Sequence, residues 1–197
     1  THGRKVEKRK TAQTHVCLGI PIFPYRDKRR YSALVLSNIL GGGMSSRLFQ
    51  NIREKLGLAY SVYTFVDFLE DTGVFGVYLG THKKNVTQAL DLILKEIAKL
   101  KKDSLTSEEL SHAKYQLKGN LMMALESTSN RMNRLARYEL FLNDYHDLDQ
   151  TIESINRIKA KDVVEVAEEF FGPDKLSAVV LGPVGKDTLN RVDWDTF

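Results

Sequence analysis

The sequence holds a single cysteine, Cys17, so no internal disulfide can form and nothing points to an oxidising compartment. Cys17 stands in the apolar run His15-Val16-Cys17-Leu18-Gly19-Ile20, where a buried, inert thiol is expected. No stretch approaches the roughly eighteen apolar residues of a membrane span. No signal-peptide pattern opens the chain, and its first residue is Thr1 rather than Met, which suggests a piece of something longer. Charge of one sign is scarce too. Lys+Arg number 29 against Asp+Glu 25, a net charge of +4, and the short basic clusters are mostly followed by acids, so no nucleic-acid partner is expected.

The five histidines, His2, His15, His82, His112 and His146, are scattered, none three or four residues from another. H-x-x-E-H and H-E-x-x-H are both absent, so no helix offers two imidazoles to one metal and no metal ligand is assigned. His15 is expected to be a strand residue with a hydrogen-bond partner. Asn143 to Asp149 brings three aspartates together but lacks the central Gly and twelfth-position Glu of a calcium loop, so it reads as a helix boundary. No Gly-Lys-Ser/Thr follows Gly41-Gly42-Gly43, which removes a phosphate cradle. No Gly-x-Ser-x-Gly is present, and Ser45 and Ser46 fit helix capping better than nucleophilic attack.

What is present suffices for one domain: 197 residues, 42% of them hydrophobic. Residues 1–13 are polar and basic and read as a tail or interdomain linker. Gln13 to Ile20 reads as a strand stopped by Pro21 and Pro24. Lys28 to Leu40 suits a largely buried helix ended by the three glycines. A second, serine-capped helix runs to about Lys55 and stops at Gly57. Tyr60 to Val66 and Gly73 to Leu79 are aromatic and β-branched, with a turn over Glu70-Asp71-Thr72-Gly73 that predicts an antiparallel hairpin. Leu90, Ile93, Leu94, Ile97 and Leu100 recur at helical spacing. Thr106 opens another helix with a weak point at Gly119. Further helical patterns cover 128–143, 147–156 and 160–170, and Leu176 to Leu181 is a last strand. Strands at both ends and in the middle, with helices in blocks, predict an α+β fold: helices packed on one face of a mainly antiparallel sheet.

Arg53 and Tyr60 flank the Leu56-Gly57-Leu58-Ala59 turn. An Arg in the last turn of a helix and a Tyr at the start of a strand can both enter one cleft. Guanidinium and phenol are both donors, able to orient a peptide carbonyl or stabilise a developing oxyanion. The plainer alternative pairs Arg53 with a surface carboxylate and packs Tyr60 in the core.

The run from Ile39 through Gly41-Gly42-Gly43-Met44-Ser45-Ser46-Arg47-Leu48-Phe49, on through Ile52-Arg53-Glu54-Lys55 to Gly57-Leu58-Ala59-Tyr60-Ser61-Val62, closely resembles the second half of the pitrilysin (M16) family of zinc metallopeptidases. That family includes the mitochondrial processing peptidase and its bacterial homologues. The Gln13-x-His15-Val16 strand, Tyr31 to Leu36 and Val179 to Val184 fit the same pattern, so the resemblance covers essentially the whole chain. It implies a half-domain of the LuxS/processing-peptidase type, with residues 14–197 as one C-terminal domain. It implies a clamshell in which a homologous N-terminal catalytic half holds zinc through H-x-x-E-H. The second half supplies an Arg and a Tyr, matched here by Arg53 and Tyr60, as substrate-binding residues. On the helix equivalent to the zinc helix this chain has Tyr31-Ser32-Ala33-Leu34-Val35-Leu36 instead. No catalytic residue is therefore assigned to this chain, and alone it is expected to be inactive.

The resemblance further implies a peptide substrate, zinc in the complete enzyme, and pairing with the catalytic half or a partner subunit, with a dimer left open. The bacterial cytoplasm is the expected compartment and the mitochondrial matrix the alternative. The competing readings are a non-catalytic core or scaffold subunit of the same fold, and a peptide-binding module using a sheet edge.

Overall fold

The computed structural model describes residues 3–102 and 105–196. Among them five strands form one sheet: β1 (Arg4–Lys8), β2 (Thr14–Ile22), β3 (Ala59–Phe68), β4 (Gly73–Thr81) and β5 (Ser177–Gly182). Their order across the sheet is β1-β5-β2-β4-β3. β1 and β5 run parallel, and every other neighbouring pair is antiparallel. Six α-helices accompany them: α1 (Arg30–Gly41), α2 (Val86–Lys102), α3 (Ser107–Ala124), α4 (Thr128–Leu142), α5 (Leu148–Arg157) and α6 (Ala160–Phe170). The fold is thus α+β, with its helices against one face of a mainly antiparallel sheet.

Alternation along β2 shows how that face is chosen. Thr14, Val16, Leu18, Ile20 and Ile22 are buried, while Cys17 and Pro21 are exposed. On the covered side, β2 meets Phe75, Val77 and Leu79 of β4 and Ala178 and Val180 of β5 in one core. α2 contributes Leu90, Ile93, Leu94, Ile97 and Leu100, all fully buried, which is the stripe its helical spacing predicts. α1 and α6 add Ala33, Leu36, Leu40, Val163, Val166 and Ala167.

Four expectations change. Residues 4–8, read as tail or linker, form β1. Only Val6 of that strand packs on the core, so it carries no alternating signal. β2 does not stop at Pro21: Pro21 pairs with Val74, but β5 ends its pairing with β2 at Gly19, so one flank of Pro21 has no ladder bond to lose. Cys17 is exposed, because its alternation phase places it on the uncovered face. Ser46 does not cap the next helix by accepting a backbone bond; its hydroxyl donates back to the Gly43 carbonyl at 2.6 Å.

α1 ends at the three glycines as expected, Gly41 being its last residue and Gly42 its C-cap. None of the three has a positive φ. A Cβ on Gly41 would stand 2.6 Å from the Thr64 backbone nitrogen, so Gly41 lets α1 lie directly against β3. Ser37 Oγ donates to Thr64 Oγ1 at 2.8 Å, and Thr64 Oγ1 donates to the Ser37 carbonyl at 2.7 Å across the same junction.

Candidate functional site

The segment that carries Arg53 is anchored before it is irregular. Arg47 makes a two-pronged ion pair with Glu109 of α3, Nε to Oε1 at 2.8 Å and Nη2 to Oε2 at 3.1 Å. Asn51 Nδ2 donates to Glu96 of α2 at 2.9 Å, and Ile52 is fully buried. Phe49–Glu54 then winds as a π-helix, and Lys55 N–H reaches five residues back to the Gln50 carbonyl at 3.0 Å. The turn closes at Gly57, whose φ of 60° is left-handed. Gly57 N–H bonds Arg53 O at 3.1 Å and Leu58 N–H bonds Ile52 O at 2.9 Å.

Tyr60 sits on a second irregularity. Ala59 pairs with Thr81 and Ser61 with Gly80, so Tyr60 is the extra residue of a β-bulge in β3. A π-turn and a β-bulge each insert one residue and re-aim the side chain that follows; both concentrate at functional sites. Here one lies on each side of Gly57.

Neither plainer alternative describes these side chains. Arg53 is exposed and touches the Phe49 ring, with Cζ 4.8 Å from its centroid; among the described residues it has no hydrogen-bond or ion-pair partner. Tyr60 is 57% exposed rather than packed in the core. Two donors thus stand exposed, one on each side of Gly57.

Beyond Tyr60 the uncovered sheet face is aromatic. Register places Val179, Cys17, Tyr78 and Tyr63 in one row across β5, β2, β4 and β3. Tyr63 and Tyr78 stack with centroids 4.9 Å apart, and His15 Nδ1 is 2.7 Å from the Tyr78 hydroxyl. His15 is thus a bonded strand residue, as expected. Partial burial raises the Cys17 thiol pKa. Sequence reasoning missed the row; its signal was the register of four strands, visible only once they pair.

The zinc that the M16 resemblance implies does not fit this chain. Among the described residues no group of three or more His, Cys, Asp and Glu side chains could hold a metal ion. His82 and His112 are exposed and His146 lies beside Asp144, while His2 falls outside the described residues. Asn143 to Asp149 is a helix boundary: Asn143 is left-handed after α4 and Asp147 caps α5. Among the described residues no helix is long and apolar enough to cross a membrane.

The site is thus a helix-backed sheet with two exposed donors flanking Gly57 and, among the described residues, no cluster of metal ligands. Residues 1–117 match the family described as the peptidase M16 inactive domain, and the chain belongs to that family. It is 41% identical over 180 residues to an uncharacterised zinc protease of Bacillus subtilis, covering 91% of this chain and 44% of that protein. Among solved structures, a protease from Helicobacter pylori superposes with a TM-score of 0.81 at 29% identity, covering 91% of this chain and 44% of that one. The peptidase M16 inactive domain from Pseudomonas fluorescens gives 0.79 at 26% identity, with 93% and 44% covered. The chain spans less than half the length of these relatives.

Proposed function

We propose that this domain is the C-terminal substrate-binding half of a bacterial zinc metalloendopeptidase, in which a homologous N-terminal half holds zinc and cleaves the peptide. In this reading residues 14–197 with the edge strand β1 form one domain, and the chain ahead of β1 leads in from that half. Its compartment is the bacterial cytoplasm. One observation carries the reading: Arg53 and Tyr60 are exposed donors set on a π-turn and a β-bulge, and among the described residues neither side chain has a hydrogen-bond or ion-pair partner. In that setting a peptide carbonyl near the scissile bond accepts from the guanidinium and the phenol, which orients it and spreads the charge that develops on its oxygen. The aromatic row of Tyr63 and Tyr78 gives the substrate an apolar wall.

The test is made in the enzyme that joins this domain to its zinc-bearing half. Arg53→Ala and Tyr60→Phe should each lower kcat/KM by about 10²-fold or more, with zinc content unchanged. Loss of zinc in either variant would show that the two residues support the metal instead. Unchanged turnover in both would leave the scaffold reading in its place. The domain alone should hydrolyse no peptide.

A further inference from the structure

A cavity of about 740 Å³ opens among α1, α3, α4 and α5, within the usual range for small-molecule clefts. Leu34, Phe68, Leu117, Leu121 and Phe141 give it an apolar body. Its polar end is unusual. Arg30 is only 6% exposed, yet it has no carboxylate partner among the described residues. Its neighbour Asp27 is engaged by Arg29 through three hydrogen bonds, at 2.7 to 3.0 Å. A buried guanidinium without an anion is costly and rare.

The surroundings of Arg30 hold it flat and leave donors unused. Tyr31 and Tyr25 lie against it with ring centroids 4.6 and 5.4 Å from Cζ. Nη2 donates to the Tyr31 hydroxyl at 3.2 Å and Nη1 weakly to the Tyr25 carbonyl at 3.5 Å. That occupies two of its five N–H groups. The Tyr31 hydroxyl lies 3.4 Å from that of Tyr138, and Tyr138 lies 3.3 Å from Thr151 Oγ1. Thr151 also accepts from Arg134 at 2.8 Å. The chain of bonds is complete from α1 through α4 to α5, so the cavity end is rigid. Burial opposes ionisation of Tyr31, but the Tyr138 bond and the Arg30 charge outweigh it and lower its pKa. Arg134 and Arg137 also line the cavity, and Asp67, exposed, is the one acidic side chain among the lining residues described.

We infer that this cavity binds an organic carboxylate on an apolar body, the carboxylate accepting from the Arg30 guanidinium edge and the body lying against Leu34, Leu117, Leu121 and Phe141. A fatty acid and the free C-terminus of a hydrophobic peptide share that chemistry. Nothing in the proposal depends on Arg53 or Tyr60.

Titration calorimetry of the protein with dodecanoate and with acetyl-Leu-Phe tests it, each acid compared with its own primary amide. At least one acid should bind at a single site, with its amide at least tenfold weaker. The acid that binds identifies the source. Arg30→Met should weaken the acid at least tenfold, leave amide binding unchanged, and not lower the thermal midpoint, because it removes an unpaired buried charge. A merely structural Arg30 would lower that midpoint. Leu121→Trp, which keeps Arg30 and fills the cavity, should abolish binding and guards against a misfolded Arg30 variant. Binding of neither acid, equal affinity for acid and amide, or full acid binding in both variants would overturn the inference.

Discussion

At the scale of single residues, Gly41 does what no other residue can at its position. A methyl there would be forced against the Thr64 backbone rather than against a flexible side chain. Gly41→Ala should therefore destabilise the fold by about 1–3 kcal/mol, read as a lower urea midpoint at unchanged slope. Glu109 makes a second case. The Arg47 guanidinium beside it holds its carboxyl below the ordinary glutamate range, against a smaller opposing effect of burial. A depressed carboxylate stabilises the fold fully above the unfolded value, about 4.3, and that contribution fades as pH falls through the lower folded value. Glu109→Gln should cost about 1–3 kcal/mol near neutrality, and the gap from the parent should narrow in urea titrations run below about pH 4. His15 was legible as a bonded strand residue from its place in an apolar run, whereas Arg53 and Tyr60 were singled out by the turn they flank and by the M16 resemblance, and the kinetic test decides their role. The exposure of Cys17 was not, since an apolar run does not say which of its alternating phases meets the helices.

At the scale of elements, α2 was readable because its buried stripe is unbroken, whereas α4 is helical with little to hide. Leu94 is fully buried and Leu140 is 71% exposed. Leu94→Ala should cost about 2–5 kcal/mol, and Leu140→Ala should fall within about 0.5 kcal/mol of the parent in the same unfolding assay. The hairpin of β3 and β4 was announced by its turn. The π-turn at Phe49–Glu54 and the bulge at Tyr60 were not, because both are set by tertiary contacts. The helical segment must bury Leu48 and Ile52 while Arg47 meets Glu109 and Asn51 meets Glu96, and an extra residue per turn satisfies all of these. β1 escaped notice for the opposite reason: its Arg4, Lys5 and Lys8 suit a charged outer edge, where a strand needs little apolar content.

At the scale of the whole molecule, stability is uneven. The sheet centre and α2 share one core, while α3 and α4 expose Met122, Met123, Met132 and Leu135. Amide exchange should be slowest in β2, β4 and α2 and faster by orders of magnitude along α4; uniform protection would contradict the division. The α+β class followed from the order of segments, but the strand order did not, because the pairing of Arg4 with Ala178 joins residues from opposite ends of the chain. Trp194 seals that edge, with Arg4 Cζ 4.2 Å from its ring and its indole N–H donating to the Leu189 carbonyl at 2.9 Å.

Since β5 lies between β1 and β2, both strands wait for it during synthesis. A nascent chain can close its hairpin and stack its helices on the ribosome, yet until residues 177–182 emerge β1 has no neighbour and one flank of β2 stands open. A message truncated just upstream of Ser177 would therefore release a molecule with nearly all of its core and a vacant slot one strand wide, a template for pairing with any extended segment it meets.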